Sequence, residues 1–153
     1  MDKSPLVLLE LVERLGNLMR AEFRRVGSDE QLQPVHVHAL VYLARANRYS
    51  NTPQAMAEYL GLTKGTMSQS LLLLDRRGLI ERYQDDLDRR VVRLRLSASG
   101  DQFLAEAQPQ NAWQQATRNI SPNRIRNAVS ALRETLTTFQ ADNEGQPFGA
   151  CHG

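Results

Sequence analysis

Cysteine is almost absent: Cys151 is the only one in 153 residues, which excludes an intramolecular disulfide framework. Beside His152 it offers one thiol and one imidazole, too few to define a metal site, and without a second thiol there is no local redox pair. The chain has three histidines and no glycine-rich phosphate loop. Such residues assemble no nucleophile–base constellation, so no catalytic residue, metal or cofactor is expected and the chain does not read as an enzyme. No apolar run approaches the ~20 residues needed to cross a bilayer, so no membrane partner is expected. Acidic Asp2, Glu10 and Glu13 interrupt the first leucines, and no small-residue cleavage site follows. That is not the pattern of a signal peptide, and a cytoplasmic protein is the expectation.

Charge of one sign is also scarce. The chain carries 19 basic and 17 acidic residues, a formal charge of +2, so bulk charge announces no polyanionic partner. Distribution says more. From Gly61 to Gly100 there are eight Lys/Arg against five Asp/Glu, a net of +3, which leaves −1 elsewhere. Seventeen of the bases are arginine, the side chain suited to forked phosphate contacts and narrow grooves. A chain of this length is one domain or a little more and removes roughly 70% of its unfolded surface from water.

The organising stretch is Thr52 to Leu96. Thr52-Pro53 is a cap followed by proline at the first helical position. Ala55, Met56, Ala57 and Leu60 supply a buried face, and Gly61 suits a turn that needs positive φ. Thr63 caps a second helix with Met67, Leu71 and Leu74 on its apolar side, and Gly78 stops it. The first turn of that helix, Thr63, Lys64, Gly65 and Thr66 with Ser68 and Gln69, has no bulky apolar group on its outer face. A surface that enters a major groove would look like this, and so would an exposed helix start. Two strands follow, Leu79–Tyr83 and Val91–Leu96. In the second, Val92, Leu94 and Leu96 alternate with Arg93 and Arg95, one set in and one out. The tip between them holds Asp88, Arg89 and Arg90. Adjacent arginines there could reach a minor groove; a solvated loop with Asp88 paired to an arginine is the plainer reading, and both could hold.

Helical spacing over Pro5–Val26 (Leu8, Leu11, Val12, Leu15, Leu18, Met19, Phe23), widened by Leu6, Val7 and Leu9, gives a helix apolar on more than one side. It is either a core helix or one shared with a second subunit. Pro34 opens a helix to about Ala46, and 47–51 is a polar connection with room for a short edge strand. His36 and His38, two apart, point to nearly opposite sides of that helix and cannot clasp one metal. After the strands, Ser97 caps a helix with Phe103 and Leu104 that Pro109 interrupts. Ser121-Pro122 starts another, where Ile125, Val129, Leu132, Leu136 and Phe139 form a heptad-like seam. Surplus apolar helix at both ends favours a homodimer, with Leu8, Leu11, Leu15, Val129, Leu132, Leu136 and Phe139 as its contacts. The fold class expected is mainly α with a small β-wing (α+β). A winged helix-turn-helix core, 34–97, lies between dimerisation helices in 5–33 and 98–140, with a mobile tail at 141–153.

The stretch Thr63–Gly100, with its "RRGLIER", the "D-x-x-D-R-R" wing and a strand running into "L-S-x-x-G", resembles the multiple-antibiotic-resistance regulator (MarR) family of bacterial winged-helix transcription factors. The order of the flanking helices extends the resemblance over nearly the whole chain. It implies a two-fold dimer with first and last helices intertwined. One winged helix per subunit would sit on double-stranded DNA, as in a repressor released from a palindromic operator by a small-molecule effector. By motif position Thr63, Lys64, Thr66, Ser68 and Gln69 would face the major groove, and Arg90 would enter the minor groove, supported by Asp88 and Arg89. An effector would sit near His36, His38 and Tyr42. Gly65 stands where family members often carry serine or another side chain, and the N-terminal reactive cysteine of the peroxide-sensing branch is missing. The rival reading keeps the fold without DNA: a winged-helix adaptor or anti-repressor that binds protein.

Overall fold

The computed structural model describes residues 4–143. Its elements are α1 (Ser4–Gly27), α2 (Pro34–Leu43), α3 (Pro53–Leu60), α4 (Lys64–Arg76), β1 (Ile80–Gln84), β2 (Val92–Leu96), α5 (Ala98–Ala107), α6 (Asn111–Thr117) and α7 (Pro122–Asn143). The expected class, mainly helical with a small wing, is what forms. Residues 141–143 extend α7, and the rest of the expected tail, with Cys151 and His152, lies outside the described residues.

The chain falls into two units that divide between Pro109 and Gln110. In the first, α2 is the centre. Val37, Ala39 and Leu40 are fully buried, and a helix apolar around most of its circumference has to be covered on several sides. Met56 and Ala57 of α3, Met67, Leu71 and Leu74 of α4, Ile80 of β1 and Leu94 of β2 join the same core, with Phe23 and Val26 from the end of α1. Full burial of each such large side chain contributes about 1.5–3 kcal/mol. Phe103, Leu104 and Ala107 of α5 pack on its edge. In the second unit Ile125 of the α7 seam is half-buried, and Val129, Leu132, Leu136 and Phe139 are exposed. The first helix shows the same trait, with Leu6, Leu9 and Leu18 each 65% exposed and only Phe23, Val26 and Gly27 buried.

Local chemistry explains most boundaries. The Thr52, Thr63 and Ser97 hydroxyls accept the N–H groups of Ala55, Thr66 and Gly100, as caps do. Gly61 ends α3 at φ 64°, a left-handed geometry that glycine adopts without penalty, and so lets the chain turn into α4. The break at Pro109 also forms: α5 stops at Ala107, and α6 begins at Asn111.

Three expectations are corrected. The second helix ends at Leu43, not Ala46, because the Asn47 side chain accepts the N–H groups of Tyr49 and Ser50 and builds a local turn that competes with further helix. No edge strand forms over 47–51; a single bond, from Leu94 N–H to the Asn51 carbonyl at 2.8 Å, stands in its place. The in–out alternation of β2 also breaks. Val92 is exposed while the Arg93 side chain is only 14% exposed, for a reason given with the wing below.

The strands pair antiparallel with Ile80 opposite Leu96, Arg82 opposite Leu94 and Gln84 opposite Val92. The register is closed at its base by Gly100: a Cβ there would lie 2.1 Å from the Leu79 carbonyl oxygen, which also accepts the Ser97 N–H. Gly65, by contrast, would place a Cβ no nearer than 3.9 Å to any atom. Gly100→Ala should therefore lower stability by about 1–3 kcal/mol through overpacking. Gly65→Ala should raise it by up to about 0.5–1 kcal/mol, the gain at a helix interior being the upper bound for a first-turn position. Denaturant midpoints of the two variants check both signs.

Candidate nucleic-acid interface

The start of α4 is a capped, polar helix end. Thr63, Lys64, Gly65, Thr66, Ser68 and Gln69 are all exposed, while Met67, Ser70, Leu71 and Leu74 on the opposite side are buried. The structure thus brings together the six residues expected at a groove-reading surface. It also separates their tasks. The Thr63 oxygen is engaged by Thr66 N–H at 3.2 Å and lies 3.0 Å from the Thr66 hydroxyl. Both threonines are therefore occupied in closing the helix end, and Lys64, Ser68 and Gln69 are the side chains left to meet a partner. Gly65 is required neither by φ nor by packing.

The wing arrives by β1 and β2. Its arginines fall into two groups. Arg82 is paired with Asp75 at 3.2 Å and Arg95 with Glu81 at 2.7 Å, and Arg93 with Asp85. Arg89 and Arg90, at the tip, have no carboxylate partner among the described residues. The expected pairing of Asp88 with an arginine side chain does not occur; its carboxylate accepts the backbone N–H of Arg90 at 3.0 Å instead. Pinning that backbone directs the next side chain without neutralising it. Of the carboxylates between the strands it is Asp85 that pairs with an arginine, and it also accepts the N–H groups of Leu87 and Asp88 at 2.9 and 3.0 Å. These donors, the Arg93 guanidinium first among them, pull its pKa down to about 2.

Sequence reasoning missed Asn51 and misplaced Arg93. Asn51 donates to the Tyr83 hydroxyl (2.9 Å) and the Leu94 carbonyl (3.1 Å), and its oxygen accepts from Arg93 at 3.0 Å. No local signal marks such a residue, since its partners lie 32 to 43 positions away.

Of the three residues expected near an effector, His38 and Tyr42 meet on Tyr59 and His36 lies apart from them. The His36 Nδ1 accepts Gln33 N–H at 3.0 Å, closing the first turn of α2. Its ring lines a groove of about 520 Å³ shared with Thr66, Gln69, Ser70, Leu73 and Arg77. His38 lies with its ring centroid 5.2 Å from Phe23 and 6.1 Å from Tyr59. Tyr42 stacks at 4.7 Å on the same Tyr59, and its hydroxyl donates to the Ser50 carbonyl. Burial lowers the pKa of both histidines, with the Arg77 charge adding to the effect at His36.

A helix, a glycine turn, an exposed second helix and a two-stranded hairpin in this order define a winged helix-turn-helix protein. Residues 30–91 match the MarR family model. A curated relative, transcriptional repressor MprA of Escherichia coli K12, is 30% identical over 100 residues, covering 65% of this chain and 52% of the repressor. The chain thus spans about half the length of the curated relatives it matches. Among solved structures, the regulator BldR from Sulfolobus solfataricus shares the fold at a TM-score of 0.70 with 20% identity, over 90% of this chain and 99% of that one. The S. aureus MepR–DNA complex does so at 0.65 with 22% identity, over 84% and 96%. The segment 30–91, from just before α2 to the start of β2, is thus similar to the MarR family.

The histidines set a pH dependence. Both have pKa values below the ordinary 6.5 in the folded state. As pH falls below 6.5 the unfolded chain takes up protons that the folded chain resists, so stability declines on acidification and is fully present above neutrality. The Tm should fall between pH ~7.5 and ~5.5, and the double substitution His36→Gln/His38→Gln should flatten that fall, glutamine being a suitable helix-capping partner at position 36. Thermal scans across pH check this; an equal slope in both proteins would contradict it.

Proposed function

We propose that this chain is a sequence-specific, DNA-binding transcriptional regulator that acts as a homodimer, most simply a repressor on a palindromic operator. The observation that carries the reading is the sorting of charge. Three of the five wing arginines are neutralised by neighbouring carboxylates, and Arg89 and Arg90 at the tip are left bare. Lys64 stands exposed at the start of α4. Cations without carboxylate partners at the wing tip and at the start of α4 are what phosphate contact and minor-groove entry require, and the polar residues around Lys64 match major-groove readout. The relatives support it: MprA is a transcriptional repressor, and MepR was solved with DNA. The exposed apolar residues of α1 and α7, Leu8, Leu11, Leu15, Val129, Leu132, Leu136 and Phe139, are assigned to the dimer contact, a use that apolar surface of this extent invites.

Selection from random duplexes should enrich a palindrome with half-sites about 10 bp apart, one helical turn. Arg90→Ala should cost about 1–3 kcal/mol of affinity, and Lys64→Ala, which removes one phosphate partner, should lower the slope of log K against log salt by about 1. Duplex affinity unaltered by the Arg90→Ala/Lys64→Ala double substitution would rule out the DNA reading and leave a protein-binding adaptor. The dimer has its own check. Leu15→Glu or Leu136→Glu should give a monomer in sedimentation while far-ultraviolet circular dichroism stays that of the winged core, and a dimer that survives both changes would refute the assigned contact.

A further inference from the structure

Arg93 is the one basic residue of the wing that cannot meet a partner. Its side chain is 14% exposed, and that of Asp85 is 8% exposed. Its Nε donates to Asp85 Oδ2, and one Nη donates to the Arg48 carbonyl and to Asn51 Oδ1. Both ends of this bridge are themselves fixed. Asp85 opens the wing tip and holds its first turn through Leu87 and Asp88 N–H. Asn51 immediately precedes Thr52, the cap of α3, and uses both amide donors and its oxygen, with two donated bonds and one accepted. The Asn51 carbonyl also receives Leu94 N–H. Side-chain bonds therefore span from the root of the helix-turn-helix to the first residue of the tip, where the sheet, two-stranded among the described residues, leaves the ribbon unbraced.

We propose that Asp85, Arg93 and Asn51 form a positioning strut that sets the placement of the wing tip, and so of Arg89 and Arg90, relative to the α4 reading surface. The inference rests on the DNA reading above. A two-stranded ribbon alone is marginal and bends. Without the strut the tip would have to be ordered on each binding event, which costs affinity even though every group that touches DNA is still present. Arg93 is a positioning residue, not a DNA-contacting one: its guanidinium is spent on three protein acceptors. Lysine, with one nitrogen, cannot reach Asp85 and the 48–51 turn together in the same way.

The test is a double-substitution cycle on the full chain, with the palindromic duplex enriched by selection as probe. Arg93→Met should weaken binding roughly tenfold. Asp85→Asn should give a similar loss. Asparagine keeps the acceptor for Leu87 and Asp88 N–H, so that variant cuts the strut without dissolving the tip turn. In an Arg89→Ala/Arg90→Ala background neither change should weaken binding further, because the strut acts only through those side chains. Arg93→Lys should recover part of the loss, and amide exchange over 86–90 in the free protein should rise in the two strut variants. Equal losses in both backgrounds would reduce Arg93 to a general stability role and overturn the proposal, as would wild-type affinity in both strut variants. If the unaltered chain enriches no duplex, the DNA reading falls first and the strut's purpose falls with it.

Discussion

The burial of Met67, Leu71 and Leu74 fixes the rotation of α4 about its own axis, and most of what the molecule presents outward follows from that. These residues recur every three or four positions, are at most 1% exposed, and lock into Met56 and Ala57 of α3 and Leu40 of α2. On a helix of 3.6 residues per turn, burying that stripe commits Lys64, Gly65, Ser68 and Gln69 to solvent. A polar surface of this kind needs no specific contact to hold it in place. It is the complement of an apolar one, and a substitution that shifted the buried stripe would rotate every exposed side chain with it.

The wing follows different physics. A hairpin with five arginines between Arg82 and Arg95 would repel itself if all were bare, and one with every arginine paired would offer no positive edge. Carboxylates placed at Asp75, Glu81 and Asp85 neutralise the body and leave the tip. The exposed pairs contribute little stability in themselves, of the order of 0–1 kcal/mol. Their effect is on where charge remains. Asp85 differs from the others because it is buried and fully hydrogen-bonded, which turns a charge pair into a mechanical connection.

This division explains what could be read from the sequence. Caps at Thr52, Thr63 and Ser97, the turn at Gly61, the break at Pro109 and the buried stripe of α4 are all written in neighbours within four residues, and each was legible. So were the six exposed residues of the α4 start and the two tip arginines. The placement of Arg93 failed because it depended on distant partners. Arg93 sits where a period-two pattern points outward, and only Asp85 and Asn51, eight and 42 positions away, turn it inward. Asp88 looked like the pairing carboxylate because it adjoins Arg89, yet the turn geometry gives that task to Asp85. Long-range hydrogen bonds leave no spacing signature, and polar networks are made of them.

The first and last helices complete the argument about strength. Four of the five seam residues of α7 and eight apolar residues from Leu6 to Leu18 are exposed, whereas a helix serving only its own core hides its stripe. In the proposed dimer that surface is what joins two reading heads. Joining matters because each head is modest: the region from Gly61 to Gly100 carries a net of +3. Two weak sites held at a fixed separation bind as one, the second at an effective concentration set by the rigidity between them, and avidity then exceeds either site alone by orders of magnitude. The gain exists only while the separation matches the spacing of the half-sites. A small change in how the helices meet would therefore cost far more affinity than any single side chain supplies, and a regulator built this way gains its switch from the same rigidity that gives it strength.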